Sequence, residues 1–375
     1  MSPTETLVRE ALGRVLDPEI RRPITDLGMV RSVALDGGDV AVEVSLTTAG
    51  CPMREQLTRE VTREVSAVEG VASVRVELGV MDDDQRAALK DVLRGGRPAR
   101  EVPFTQPGSL TRVVAVASGK GGVGKSSVTV NLAAAMAADG LRVGVLDADV
   151  HGFSVPRMLG VEHPPTRVDD MIIPPVAQGV KVVSIGMFTQ GNAPVVWRGP
   201  MLHRTLEQFL TDVHWGDLDV LLLDLPPGTG DVAISVAQRL PTAQIVVVTT
   251  PQQAAAEVAE RAGTLALQTK QRVAGVVENM SWLACPHCGE RTDVFGSGGG
   301  QRVATALTGR LGYDVQLLAE IPLQPGVREA GDTGDAAAAF ADPTVAGPLL
   351  GVADALVKPG RGLVGRSLGL TPVSH

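Results

Sequence analysis

The sequence predicts an α/β protein, doubly wound about a mostly parallel sheet and preceded by a small α+β domain. Three observations lead there. First, six segments between residues 112 and 279 are apolar almost throughout and rich in β-branched residues: RVVAVAS, RVGVLDA, VKVVSIG, DVLLLDL, QIVVVTT and VAGVVEN. Strands covered on both faces of a parallel sheet read this way, without polar alternation. Second, helical patterns lie between them, as in SSVTVNLAAAMAAD, ending before Gly140, and AAAEVAERAGTLALQTK. Such strand–helix alternation marks the doubly wound class. Third, the first 93 residues follow a different pattern, with a hairpin and a helix of clear amphipathic spacing.

In that N-terminal part a helical period starts near Thr4, and DPEI and DLG read as turns. VRSVAL and VAVEVSLTT flank Asp36-Gly37-Gly38-Asp39, a hairpin signal. Val40, Val42, Val44 and Leu46 share one strand face, and Met53, Leu57, Val61, Val65 and Val68 share one helix face. VASVRVELGV adds a strand. RGGRPAREVPFTQPGSL, dense in Gly, Pro and Arg, reads as a linker. The expected organisation is an α+β domain over 1–93, a linker over 94–110, an α/β domain over 111–357 and a flexible tail over 358–375 without periodicity.

Of the 375 residues, 44% are hydrophobic and 20% charged, the balance of a globular chain. Aromatics are only 3%, so Val, Leu, Ile and Ala must fill the core. A net charge of −8 argues against nucleic acid or an anionic membrane as partner. MSPTETLVREAL has no apolar h-region, and no run of 18 apolar residues occurs, so the chain reads as soluble and cytoplasmic. Three cysteines are too few for a disulfide framework, which leaves CPHC at 285–288 as a redox pair or as metal ligands.

GKGGVGKS at 119–126 fits the full phosphate-loop pattern, after a strand and at the start of a helix. Only six of the 34 basic residues are lysines, yet two of those six fall inside this octet. Backbone N–H groups from Gly119 through Gly121, Gly122, Val123 and Gly124 to Ser127 would turn toward phosphate oxygens at a helix N-terminus. Lys125 would reach the β- and γ-phosphates of ATP, and the Ser126 hydroxyl would bind Mg²⁺. Lys120 adds a second phosphate clamp. In LLLDLPPGTGD, Asp224 ends an apolar strand, where a carboxylate can hold Mg²⁺ through water, and Gly228 can offer an N–H to the γ-phosphate. Asp147 and Asp149 of VLDADVHG end the neighbouring strand. One would support the metal and the other, Asp149, orient the attacking water; solvated loop acids are the plain alternative.

A lysine directly after the first glycine resembles the deviant P-loop of the ParA, MinD and nitrogenase iron-protein class, which implies that Lys120 reaches the nucleotide of a second subunit. Asn279 resembles the amide that recognises the base in that class; a turn or capping role is its alternative. GKGGVGKSS, DADVHG, VWRGPML, LLLDLPPGTGD, ENMSWLACPHCGE and FGSGGG, in this order, resemble the Mrp/ApbC family of P-loop ATPases that act as iron–sulfur cluster carriers. The N-terminal DPEI, DLG and TTAGCP are similar to the SufT/PaaD-type small domain. The resemblance implies an ATPase that takes a cluster from an assembly scaffold and delivers it to apo iron–sulfur proteins. One departure is Asp335 in GDTGDAAAA, where the family often has proline.

Cys285 and Cys288 offer two thiolates, whereas a cluster or a structural zinc site wants about four ligands. In the resembled family each subunit of a homodimer contributes its CxxC to one bridging cluster, implied to be [4Fe–4S]. Thiolates suit zinc as well. A redox pair usually opens a helix after the first strand, and CPHC instead stands late, beside Gly289. His287 reads as a spacer. Cys51 opens the N-terminal amphipathic helix, where contact with a cluster or partner and no special role both stay open. The rival readings are a partitioning ATPase of MinD or ParA type and a zinc-stabilised regulatory ATPase. RGLVGRSLGLTPVSH, broken by Gly and Pro, lacks the basic amphipathic helix of the MinD kind, and the acidic charge gives no support to DNA binding. An electron-transfer reductase like the nitrogenase iron protein takes its cluster cysteines singly from separate loops.

Overall fold

The structure is a computed structural model describing residues 3–48, 52–95, 101–106, 108–149, 152–188, 199–228, 231–252, 255–285 and 287–357. Cys51, residues 96–100 and 107 of the expected linker, and the 358–375 tail lie outside the described residues. The chain forms two compact units. One comprises Met1–Glu101, His163–Val176 and Asp212–Gly216; the other comprises Val102–Glu162, Ala177–Thr211 and Asp217–His375.

In the first unit, α1 (Glu5–Leu12) starts where the Thr4 hydroxyl accepts the Leu7 N–H at 3.4 Å. Strands β1 (Val30–Asp36) and β2 (Asp39–Leu46) pair antiparallel, with Asp36 opposite Asp39 across the expected turn. Helix α2 (Arg54–Ser66) makes the crossover to β3 (Ser73–Val80), which runs parallel to β2. Val40, Val42, Val44 and Leu46 join Val8, Leu12, Leu57, Val61 and Val65 in one core, none more than 3% exposed. Helix α3 (Asp83–Arg94) opens on a reciprocal cap between Asp82 and Gln85, which satisfies orphan amides at its start.

Two later segments complete this unit. Strands β6 (Thr166–Val168) and β7 (Met171–Ile173) form a short hairpin that buries Val168, Met171 and Ile173 in the same core. Asp170 at its tip pairs with Lys90 and, at 3.1 Å, with Arg94 of α3. Glu19 of the DPEI turn is 6% exposed and accepts from the Thr166 hydroxyl at 3.3 Å, with His163 Nδ1 3.8 Å away. Burial first, and the Asp17 charge second, push its carboxyl up to about 7.

The second unit carries β4 (Arg112–Ser118), α4 (Lys125–Ala138), β5 (Val143–Asp147), α5 (Val155–Met158), the edge strand β8 (Val176–Ala177), and β9 (Val180–Ser184). It continues through α6 (Gly199–Thr211), β10 (Val220–Asp224), α7 (Asp231–Arg239), β11 (Gln244–Thr249), α8 (Ala255–Thr269) and β12 (Val273–Asn279). After the small strands β13 (Leu283–Ala284) and β14 (Arg291–Thr292) come α9 (Gly299–Leu311), β15 (Leu317–Ile321), α10 (Pro325–Thr333) and α11 (Pro343–Val357). The sheet order is β15-β12-β11-β4-β10-β5-β9-β8, parallel at every pairing from β15 to β9.

Alternate side chains of a strand point to opposite faces. Val114 and Val116 lie on one face of β4, and Val113, Ala115 and Ala117 on the other, yet all are at most 4% exposed. The sheet is therefore covered on both sides, which is why its strands are apolar throughout. Within the expected linker, Phe104 is buried at 4% exposure. Asp335 caps the turn Ala336–Ala341, accepting the Ala338 N–H at 3.3 Å. No helix among the described residues is long and apolar enough to cross a membrane.

Candidate functional site

Parallel strands expose their C-terminal ends at one edge, and ligands bind in the crevice there. The β4–α4 loop follows that edge. Gly124 takes φ +77°, a conformation L side chains rarely adopt, and a Cβ on it would stand 2.3 Å from Asn279 Nδ2. Asn279, at the end of β12, donates that Nδ2 to the Val123 carbonyl at 3.0 Å. No side chain caps the start of α4, which leaves its first N–H groups for another acceptor.

Below the loop, Asp224 is fully buried and gathers three donors. Lys125 Nζ lies 2.8 Å from Oδ2, the Ser126 hydroxyl donates to the same oxygen at 2.6 Å, and the Thr129 hydroxyl donates to Oδ1 at 2.8 Å. Strand register places Asp224 beside Asp147 and Asp147 beside Ser184, a single row across β10, β5 and β9. Asp147 accepts from the Ser184 hydroxyl at 3.0 Å and from the Asp149 N–H at 3.1 Å. Burial, then the neighbouring Asp224 charge, push the Asp147 carboxyl up to about 7. Asp149 Oδ2 lies 3.8 Å from Lys125 Nζ. The fold thus assembles Lys125, Ser126, Asp147, Asp149 and Asp224 in one cluster.

Other expected residues stand differently. The Gly228 N–H donates to the Ser118 carbonyl at 2.9 Å, and so is engaged within the protein. Lys120 Nζ donates to Gln252 Oε1 at 2.6 Å. Gly121 and Gly122 are exposed at the loop tip, Val123 is buried, and Ser127 is half-buried beside a cavity. That cavity, about 380 Å³, is lined by Gly124, Ser127, Asn279 and Met280 together with Arg157, Leu323, Val327 and Arg328. Its size suits a small ligand. Thr129 and Ser184 were not singled out from the sequence. Thr129 had a signal, since it follows Lys125 by four helical residues and so shares its face. Ser184 had none, because its place beside Asp147 follows from strand order.

Cys285, His287 and Cys288 lie in the connection between β13 and β14, where Leu283 faces Thr292 and Ala284 faces Arg291. The Cys285 N–H donates to Glu290 O at 2.9 Å, and the Gly289 N–H donates to Cys285 O at 2.8 Å. The N–H of Cys288, then that of His287, then the Cys288 thiol bond the Cys285 sulfur and hold its thiol below the ordinary value. Cys285 is half-buried, and Cys288 and His287 are exposed. The turn is tied to the sheet by Ser281 N–H to Ile321 O at 2.9 Å and Leu323 N–H to Trp282 O at 2.7 Å. Among the described residues, no three or more His, Cys, Asp or Glu gather as a metal-binding group.

Comparison with known proteins adds the following. Residues 109–356 match the model of the NUBPL iron-transfer P-loop NTPase family, and residues 5–78 match that of iron-sulfur cluster assembly proteins. The iron-sulfur cluster carrier protein of Mycobacterium tuberculosis is 61% identical over 367 residues, spanning 97% of this chain and 96% of its own length. The protein of the same description from Deinococcus radiodurans is 43% identical over 326 residues, 86% of each chain. Among solved structures, the nucleotide-binding protein of Archaeoglobus fulgidus in complex with ADP, with cobalt found by PIXE, is 38% identical. It superposes with a TM-score of 0.54 over 64% of this chain and 93% of that one.

Proposed function

Because this chain belongs to the NUBPL iron-transfer P-loop NTPase family, we propose that it hydrolyses ATP and carries a [4Fe–4S] cluster to apo-proteins. The observation that carries this reading is the presence, in one unit, of a full phosphate loop and a pair of free thiols, Cys285 and Cys288, beside a small hairpin. In this reading Lys125 exchanges Asp224 for the terminal phosphates, and the 380 Å³ cavity beside Asn279 takes the nucleoside. The hard oxygens of Ser126 and Asp224, already 2.6 Å apart, fit Mg²⁺ as a donor pair. When bound, the ion offsets charge on the phosphoryl oxygens. Asp149, beside Lys125, orients the attacking water, and Asp147 supports the metal side of the site.

The cluster is cargo, received from an assembly scaffold in the cytoplasm. The CPHC turn supplies two thiols, and a cluster takes about four. A two-fold axis doubles the turn and completes the set, so the carrier acts as a homodimer. Lys120 in this reading serves the nucleotide of the second copy. Anaerobic reconstitution followed by mass measurement and iron counting tests the reading. The expected result is about four irons per two chains. A monomer with a full cluster, or one zinc ion per chain, would overturn it.

A further inference from the structure

Lys120 makes a contact that the proposed chemistry does not use. Its Nζ donates to Gln252 Oε1 at 2.6 Å, across 132 residues of sequence. Gln252 is exposed, and an exposed lysine contact persists only where both backbones are held in place. Both are held here. On the lysine side, the Ser118 hydroxyl donates to the Lys120 carbonyl at 3.0 Å, and Arg261 Nη1 donates to the Gly119 carbonyl at 2.6 Å.

On the glutamine side, Arg302 spans two loops. Its Nη2 donates to the Pro251 carbonyl at 3.1 Å and its Nη1 to the Ser297 carbonyl at 3.0 Å. Gly299 closes on the same stretch, since a Cβ there would stand 2.6 Å from Thr250 O. The next amide, of Gly300, is bonded to the Glu278 carboxylate. FGSGGG at 295–300 leads from the CPHC turn into α9. A continuous run of contacts therefore joins the exit of that turn to Lys120.

We propose that Gln252 is a positioning residue that holds Lys120 within its own subunit, and that Arg302 fixes the loop from which it does so. The proposal rests on the reading of Lys120 as a nucleotide-facing lysine. Reaching a phosphate then requires releasing the glutamine, so the Gln252 contact sets how readily Lys120 becomes available. The run of contacts through Arg302 and Ser297 gives the CPHC segment a physical means of biasing that release.

The test is amine acylation of the full-length, nucleotide-free protein, read by mass spectrometry as Lys120 modification relative to exposed Lys270. Loss of one hydrogen bond to an ammonium group is expected to raise Lys120 modification about fivefold in Gln252→Ala. Gln252→Glu keeps an acceptor and adds a charge, so its Lys120 modification stays at or below the wild-type level. Arg302→Ala is expected to raise it as Gln252→Ala does. No change in Gln252→Ala, or an equal rise in Gln252→Glu, would overturn the hold, because loosening of the loop would move both variants alike. An unchanged Arg302→Ala would overturn the clamp. The assay needs neither ATP turnover nor iron, so its failure leaves the carrier reading standing, and a failed carrier assay leaves this one readable.

Discussion

Single carboxyls decide much of the chemistry here. A buried carboxylate is stable only with donors around it, and Asp224 has Lys125, Ser126 and Thr129. Lys125→Ala removes the one positive charge among them. Phosphate release should fall about a hundredfold to a thousandfold, the range for a lost transition-state donor; a rate within a few-fold of wild type would contradict the role. Glu19 makes the opposite case, a buried carboxyl that accepts from a neutral hydroxyl, Thr166, with the His163 ring nitrogen 3.8 Å away. Its folded-state value of about 7 exceeds the ordinary 4.5, so the native state holds a proton that the unfolded chain releases. The stability this proton confers is complete below pH 4.5 and is lost as pH rises through 7. Glu19→Gln should therefore melt at higher temperature than wild type at pH 8, by the equivalent of about 3 kcal/mol. The gap should close toward pH 5, and scanning calorimetry across that range checks it.

Among the elements, the CPHC hairpin is the least self-sufficient. Its strands have two residues each, too short for independent stability. The phosphate loop lies on a different connection, β4 to α4. The double variant Cys285→Ala, Cys288→Ala should lose cluster binding entirely while nucleotide affinity stays within about twofold, since neither thiol lines the cavity beside the phosphate loop. Absorbance of reconstituted protein and a nucleotide titration read the two separately. The strands themselves were legible in the sequence because burial on both faces leaves only apolar side chains. The loop residues were legible because glycine and lysine at fixed spacing have few other uses. Thr129, one helical turn after Lys125, and the Asp82–Gln85 cap, an acid three residues before an amide, carry sequence signals of their own. Ser184, Arg157 and Leu323 were not readable, since strand order, the placement of α5 and the β15–α10 connection, in turn, bring them to the site. The Gly228 amide shows the same limit: its bond to Ser118 depends on how the chain returns over β4.

At the scale of the whole molecule, the two units share the chain in alternation. Residues 163–176 and 212–216 belong to the first unit although they lie between strands of the second. Val168, Met171 and Ile173 close the first core, and all three are at most 7% exposed. A fragment of residues 1–101 lacks them and should be less stable by about 3–6 kcal/mol, from the apolar surface left uncovered. Urea unfolding of the fragment with and without a peptide of residues 163–176 checks this, and no rise in midpoint would refute it. The alternation also sets an order of events at the ribosome. The N-terminal unit emerges first but is not complete until residue 216 has been made, after β4, β5 and β9 of the other unit. At ordinary synthesis rates that is a delay of about ten seconds. During that interval an incomplete hydrophobic surface is open to chaperones, and a chain cut short before residue 163 never gets past that stage.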